Sequence, residues 1–218
     1  MNKGLKDKLF VCEMFSSIQG EGSHAGYPCF FIRLSGCNLR CTYCDTRYAF
    51  KRGKPFEVGE IISAWDKSGI GLVLITGGEP LLQPSVYELM QGLLERGATC
   101  LLETNGSLNV SRVPHRVVKI LDWKTPGSGH EDSFDKENLR FISQKDQIKF
   151  VIVSKTDYEW VLKRVKRYFL DHICEVIFSP AHNELMPEEL ASWMLDDLPV
   201  ARLQIQLHKL LWGDRKGI

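Results

Sequence analysis

The run Cys37-Asn38-Leu39-Arg40-Cys41-Thr42-Tyr43-Cys44 spaces three thiols as C-x3-C-x2-C. Thiolates are soft ligands that select zinc, copper(I) or iron–sulfur centres. A structural zinc site closes its sphere with four ligands, typically in paired cysteine spacings, and the chain has no second C-x2-C pair. Three protein ligands on a four-iron cluster leave one iron open to a small molecule. The spacing therefore predicts a [4Fe–4S] cluster on Cys37, Cys41 and Cys44, with a zinc site or free thiols as the alternatives. Cys12, Cys29, Cys100 and Cys174 lie in or beside apolar runs, where a free cysteine packs as a small hydrophobe.

A second group is Gly77-Gly78-Glu79-Pro80. Glycine lets a backbone carbonyl approach a ligand closely, and a carboxylate beside carbonyls suits a cationic amine. Asp122-Trp123-Lys124 and Ser179-Pro180-Ala181-His182 close two later apolar runs. The densest basic run, Lys163, Arg164, Lys166 and Arg167, has helical spacing and reads as a solvated helix face rather than a nucleic-acid contact.

The elements that must position these groups are short apolar runs, near-continuous as in strands buried on both faces, alternating with helical patterns. Strands are predicted over 11–15, 30–34, 72–76, 100–104, 117–123, 148–153, 175–179 and 203–207, and helices over 57–67, 85–96, 157–170 and 187–197. Val58, Ile61, Ile62 and Trp65 share one helix face, as do Tyr87, Met90, Leu93 and Leu94. Gly97 stops the second helix and Pro187 opens the last. Segment 125–146, rich in Gly, Ser and charge, is expected to be a loop with one helical turn. Alternation of this kind implies an α/β domain with a parallel sheet and right-handed crossovers. Ligands then gather at the carboxyl ends of the strands, where the cysteines, the double glycine, Asn105-Gly106, residues 122–124 and residues 179–182 all fall.

At 218 residues, 44% hydrophobic and 25% charged, the chain suits one globular domain. A net charge of +1 gives no global attraction to nucleic acid or an anionic membrane. Residues 1–8 are polar and no apolar window approaches the roughly 20 residues that span a bilayer, so neither a secretory signal nor a membrane association is expected. Seven cysteines, three of them clustered, fit a reducing cytoplasm better than a disulfide framework.

A C-x3-C-x2-C loop after a strand, followed by a Gly-Gly-Glu-Pro turn after the next core strand, resembles the radical S-adenosylmethionine (SAM) superfamily. That resemblance implies that the open iron chelates the methionine end of SAM, and that electron transfer cleaves its sulfonium bond to give a 5′-deoxyadenosyl radical. It also implies SAM contacts at Tyr43, Cys44, Asp45, Gly78, Glu79, Asp122, Trp123, Lys124, Ser179 and His182. The resemblance is closer still. Phe15-Ser-Ser-Ile18-Gln19-Gly20-Glu21-Gly22, Phe30-Phe-Ile-Arg33-Leu-Ser-Gly-Cys37, Cys44-Asp45-Thr46, Thr76-Gly-Gly-Glu-Pro, Glu103-Thr-Asn-Gly106, Asp122-Trp-Lys124 and Gln206-Leu-His208-Lys209 together resemble the 7-carboxy-7-deazaguanine synthase family of queuosine biosynthesis, from about residue 13 to the end.

This closer resemblance implies an abbreviated TIM-like barrel, a homodimer and a lyase. The expected reaction turns 6-carboxy-5,6,7,8-tetrahydropterin into 7-carboxy-7-deazaguanine with loss of ammonia. SAM is regenerated, Mg2+ binds at Thr46, and an external flavodoxin-like or ferredoxin-like protein donates the electron. Substrate contacts are expected at Ile18, Gln19, Gly20, Glu21, Arg33, Thr76 and His208. The chemistry is sensible: Gln19 and Glu21 can match the donors and acceptors of a pterin edge, and Arg33 can hold a carboxylate in a charge-assisted fork. A structural ion pair is the alternative for Arg33, and a structural histidine for His208. Ile218 is an open candidate for a chain end that reaches substrate. Two other functions remain at this point: a radical SAM activase acting on a partner protein, and a non-enzymatic zinc or iron–sulfur module.

Overall fold

The computed structural model describes residues 8–213, 215 and 217. Nine strands form one sheet: β1 Leu9–Ile18, β2 Pro28–Leu34, β3 Lys54–Phe56, β4 Leu72–Gly77, β5 Thr99–Thr104, β6 Val118–Asp122, β7 Gln147–Ile152, β8 Glu175–Pro180 and β9 Arg202–Leu203. Their order is β3-β1-β2-β4-β5-β6-β7-β8-β9. From β2 to β9 every neighbouring pair is parallel, and the sheet stays open, as in a partial barrel.

Helices α1 Val58–Ser68, α2 Val86–Glu95, α3 Lys155–Tyr168, α4 Leu170–Ile173 and α5 Pro187–Asp197 are followed by the short α6 Leu207–Trp212. Local chemistry sets their ends. Glu57 and Glu60 form a reciprocal capping box on α1, the Ser154 hydroxyl accepts from the Asp157 N–H at the start of α3, and Pro187 opens α5. The caps of α1 and α3 satisfy N–H groups that have no partner within the helix, and Pro187 has no N–H to satisfy.

Strand alternation divides the sheet into two faces. One carries Ile32, Leu34, Val73, Ile75, Leu102, Leu121, Ile148, Phe150, Val176 and Phe178 into the main core beneath the helices. The other begins with a smaller apolar cluster that includes Phe31, Leu74, Leu101 and Ile120. Two residues further along each strand, that same face turns polar, with Arg33, Thr76, Glu103, Asp122 and Lys149. Register sets Arg33 beside Thr76 and Asp122 beside Lys149. The apolar half closes the base of the half-barrel, and the polar half forms the floor of a cavity.

Several elements depart from the sequence reading. β1 is antiparallel to both β2 and β3; residues 19–27 turn the chain back from β1 into β2, and β3 joins the other edge of β1 after the cysteine loop. The pairing of β1 with β2 slips by one residue between Val11 and Glu13. This bulge moves Glu13 from the core face of Val11 to the cavity face, opposite Arg33. No α-helix joins β5 to β6 or β6 to β7; residues 105–117 lack helical periodicity and carry Asn, Gly, Ser and Pro. Segment 125–146 holds two 3-10 turns, Pro126–Ser128 and Lys136–Arg140, rather than one. The strand expected over 203–207 shrinks to β9. The Gln204 side chain leaves the sheet to accept the Gly22 N–H at 2.6 Å, and Leu207 N–H donates to Gly20 O at 3.2 Å.

Candidate active site

A cavity of about 590 Å3 opens on the polar face of the sheet, with the cysteine loop, the β4 turn and the 18–21 segment in its walls. Cys37, Cys41 and Cys44 all line it. All three are partly buried and unpaired.

The cysteine loop is held from several sides. Gly36 N–H donates to Ala49 O at 2.7 Å, and Glu79 N–H donates to Gly36 O at 2.8 Å. Arg40 Nη1 donates to Cys37 O at 2.8 Å and Leu39 O at 2.7 Å, with its guanidinium 4.3 Å from the Phe50 ring centre. Arg40 N–H donates to His130 Nε2 at 2.9 Å. The Thr42 hydroxyl donates to Gly127 O at 2.7 Å. Behind Gly127, buried Asp157 accepts from Gly127 N–H at 2.8 Å and from the Thr125 hydroxyl at 2.9 Å. Burial raises the Cys41 and Cys44 thiols, so metal binding must displace their protons. The Lys124 ammonium works in the opposite direction on both.

Among the described residues, no three His, Cys, Asp or Glu side chains are gathered tightly enough for a single metal ion. Three thiols in the lining of one cavity are soft donors of the kind that hold an iron–sulfur centre.

The double glycine has a steric cause. A Cβ on Gly77 would strike the Leu34 backbone, and one on Gly78 would strike Gly36 O and sit 2.9 Å from Cys37 Cβ. Only bare backbone lets the β4 turn pass against the cysteine loop. Glu79 is buried. Its carboxylate accepts from Leu81 N–H at 3.0 Å, the Thr104 hydroxyl at 2.8 Å and Asn105 N–H at 2.8 Å. Burial raises its pKa, and these donors pull it back. The side chain clips the end of β4 to the end of β5.

On the cavity floor, Lys149 Nζ lies 2.5 Å from Glu103, 2.7 Å from Glu21 and 3.6 Å from Asp122. Burial disfavours its charge, but Glu103, Glu21 and Asp122 outweigh burial and hold its pKa well above the ordinary value. Glu103 feels burial in the opposite sense; Lys149 and the Thr76 hydroxyl, 3.0 Å away, bring it to about 2. Lys124 pairs with Asp122 at 2.9 Å and is raised against burial by Asp122, Tyr43 and Cys41. Asp122 Oδ1 is buried with no partner among the described residues, an acceptor left for a ligand. Arg33 Nε donates to Glu13 at 2.7 Å, and the Tyr48 hydroxyl reaches the same oxygen at 2.6 Å.

A model described as "Radical SAM superfamily" matches residues 31–177. A 7-carboxy-7-deazaguanine synthase of Koribacter versatilis is 41% identical over 224 residues, spanning 95% of this chain and 99% of that one. The synthase of Chlorobaculum tepidum is 40% identical, spanning 96% and 97%. The chain belongs to the 7-carboxy-7-deazaguanine synthase family of the radical SAM superfamily. Among solved structures, QueE from Escherichia coli superposes with a TM-score of 0.74 at 23% identity, over 92% of this chain and 95% of that one. That likeness bears on the fold, and agrees with the partial barrel.

Most residues that the family resemblance singled out converge on the cavity. Ile18, Gln19, Glu21, Arg33, Tyr43, Asp45, Thr46, Thr76, Gly78, Asp122, Lys124, His182 and His208 line it with the cysteines. The Thr46 hydroxyl donates to Asp45 at 2.7 Å. Gly20 sits just behind, because the His208 ring fills the space of its missing side chain. Three side chains do not join the lining. Trp123 stacks on Phe134 at 4.0 Å within the outer core, Glu79 is committed to its clip, and Ser179 is buried in β8. Ile218 lies outside the described residues. Sequence reasoning gave no role to Lys149, Glu103, Glu13 or Gln206, whose Nε2 donates to Glu21 at 2.8 Å. A lone charge within an otherwise largely apolar strand was the available signal for Glu103 and Lys149.

Proposed function

We propose that this chain converts 6-carboxy-5,6,7,8-tetrahydropterin to 7-carboxy-7-deazaguanine and ammonia, using a [4Fe–4S] cluster on Cys37, Cys41 and Cys44 and SAM as a regenerated cofactor. The observation that carries this reading is one cavity with the three thiols in its wall and the Arg33, Glu21, Glu103 and Lys149 charges on its floor, in a chain of this family. When bound, the cluster and SAM supply the reductive cleavage that starts hydrogen abstraction from substrate. The activase reading needs a polypeptide groove and gives no use for those charges.

The chain's own residues bind and orient. Glu13 holds Arg33 by Nε, so its remaining donors meet the substrate carboxylate in a fork. Glu21 and Glu103, both paired with the Lys149 ammonium, accept from the amine and ring N–H groups of the pterin, while Gln19 offers both amide functions. His208 on α6 closes the cavity over Gly20. Tyr43, Cys44, Asp45 and Gly78 flank SAM at the cysteine loop. Asp122 and Lys124 take its polar groups, with residues 179–182 alongside. Trp123 and Glu79 support that binding through their backbone and their packing. The Thr46 hydroxyl would offer Mg2+ an oxygen ligand of the kind a hard ion prefers. A flavodoxin-like or ferredoxin-like protein donates the electron, the chain works as a homodimer in the cytoplasm, and neither nucleic acid nor membrane is a partner. No helix among the described residues is long and apolar enough to cross a membrane.

The test is anaerobic incubation of reconstituted protein with the carboxypterin, SAM, Mg2+ and reductant, read by mass spectrometry. Deazaguanine without net SAM consumption supports the reading. SAM cleavage that appears only on adding a protein substrate overturns it in favour of the activase.

A further inference from the structure

We propose that Asn105 is a positioning residue that raises the reduction potential of the cluster by hydrogen-bonding the sulfur of Cys37. This rests on the cluster reading above. Asn105 is the first residue after β5, is buried and lines the cavity. Its amide is fixed at both ends. Oδ1 accepts from Ser107 N–H at 2.9 Å, which forces Nδ2 toward the cysteine loop. There Nδ2 donates to Asn38 Oδ1 at 3.0 Å and lies 3.9 Å from Cys37 Sγ. Asn38 is oriented in turn, its Nδ2 donating to Ser107 Oγ at 2.7 Å. The Asn105 backbone N–H is anchored on buried Glu79 at 2.8 Å. A continuous chain of contacts thus runs from the Gly-Gly-Glu-Pro turn to one cluster ligand.

Two other N–H groups reach the thiols, Leu39's on Cys37 at 3.4 Å and Thr46's on Cys44. Both belong to the backbone and persist whatever side chain is changed. Asn105 supplies its donor from a side chain, so its share can be removed. Hydrogen bonds to cluster sulfurs withdraw electron density and favour the reduced state, one of the means by which proteins set iron–sulfur potentials.

The experiment is a redox titration of the reconstituted protein with dithionite and mediators, without SAM, monitored by electron paramagnetic resonance. Asn105→Asp keeps the shape and the acceptor for Ser107 N–H, and replaces the donor by an anion. Its midpoint should fall by a tenfold or larger shift in the one-electron equilibrium, about 59 mV, with unchanged iron and sulfide content. Asn105→Ala should shift in the same direction by less. Equal midpoints in all three proteins overturn the proposal. If only the Asp variant fails to hold a cluster, the midpoint of the Ala variant decides. Loss of the cluster from both variants, with wild-type thermal melting, also overturns it, because Asn105 would then hold the loop rather than tune the sulfur. A wild-type protein that takes up no cluster defeats the functional reading itself, a result distinct from any of these.

Discussion

Lys149→Met removes the ammonium that bridges the carboxylates of Glu103 and Glu21 while keeping much of the apolar stem. Breaking a buried ion pair from one side costs about 3–5 kcal/mol. A separate route starts from Glu103, whose pKa falls from 4.5 to about 2 largely through Lys149; at about 1.4 kcal/mol per tenfold this is about 3 kcal/mol. Glu103 and Glu21 keep some contact with solvent in the cavity, which favours the lower figure. The expected loss is about 3 kcal/mol at neutral pH, or about 6–12 °C in Tm for a domain of this size. The pH dependence carries the sign. Glu103 has a depressed folded pKa, so its contribution is present above 4.5 and disappears as pH falls toward 2. Lys149 has a raised folded pKa, so its contribution is complete below the ordinary 10.5 and disappears only at still higher pH. The gap between wild type and Lys149→Met should therefore be flat across neutral pH and narrow below about pH 4.5. Urea unfolding of the cluster-free chain, under reductant at several pH values, measures it. A gap that stays constant through the acid range would show that Lys149 acts by packing and refute the electrostatic account.

Three further outcomes follow from the geometry. Gly78→Ala forces a Cβ against Gly36 O and Cys37, so reconstituted protein should hold much less iron and sulfide while keeping its secondary structure by circular dichroism. Gly20→Ala meets the His208 ring; it should loosen α6, seen as faster proteolysis near residues 204–212 and a raised KM for the pterin with SAM cleavage retained. Arg33→Lys keeps the charge but loses the fork, and should lower kcat/KM about 10- to 100-fold, the value of a charged hydrogen bond, with cluster content unchanged.

The cysteine loop, the double glycine and the parallel core strands were legible because each rests on local composition: thiol spacing, small residues, and apolar runs closed by polar ones. Helices 57–67, 85–96 and 187–197 fell within a residue or two of α1, α2 and α5 because their apolar faces repeat at helical spacing. What was not legible depends on partners far along the chain. The bulge beside Cys12 that turns Glu13 onto the cavity face leaves no mark in the sequence LFVCEMF, and only pairing with β2 shows it. Lys149 reads as a lone charge in a strand until Glu21 and Glu103, well over a hundred and over forty residues away, are placed beside it. Trp123 shows the converse: its neighbours Asp122 and Lys124 face the cavity, and strand alternation sends the residue between them into the core. Residues 203–207 have the composition of a strand, yet after the Gln204 N–H bonds Phe178 O of β8 the Gln204 side chain and the Leu207 N–H turn to the 20–22 backbone.

The most direct test of the central claim is iron and acid-labile sulfide analysis of anaerobically reconstituted wild-type protein, followed by addition of SAM to the reduced sample under electron paramagnetic resonance. About four irons and four sulfides per chain, with a cluster signal that changes when SAM is added, is the predicted result. Protein that binds about one zinc instead, or a cluster whose signal is indifferent to SAM, would contradict it.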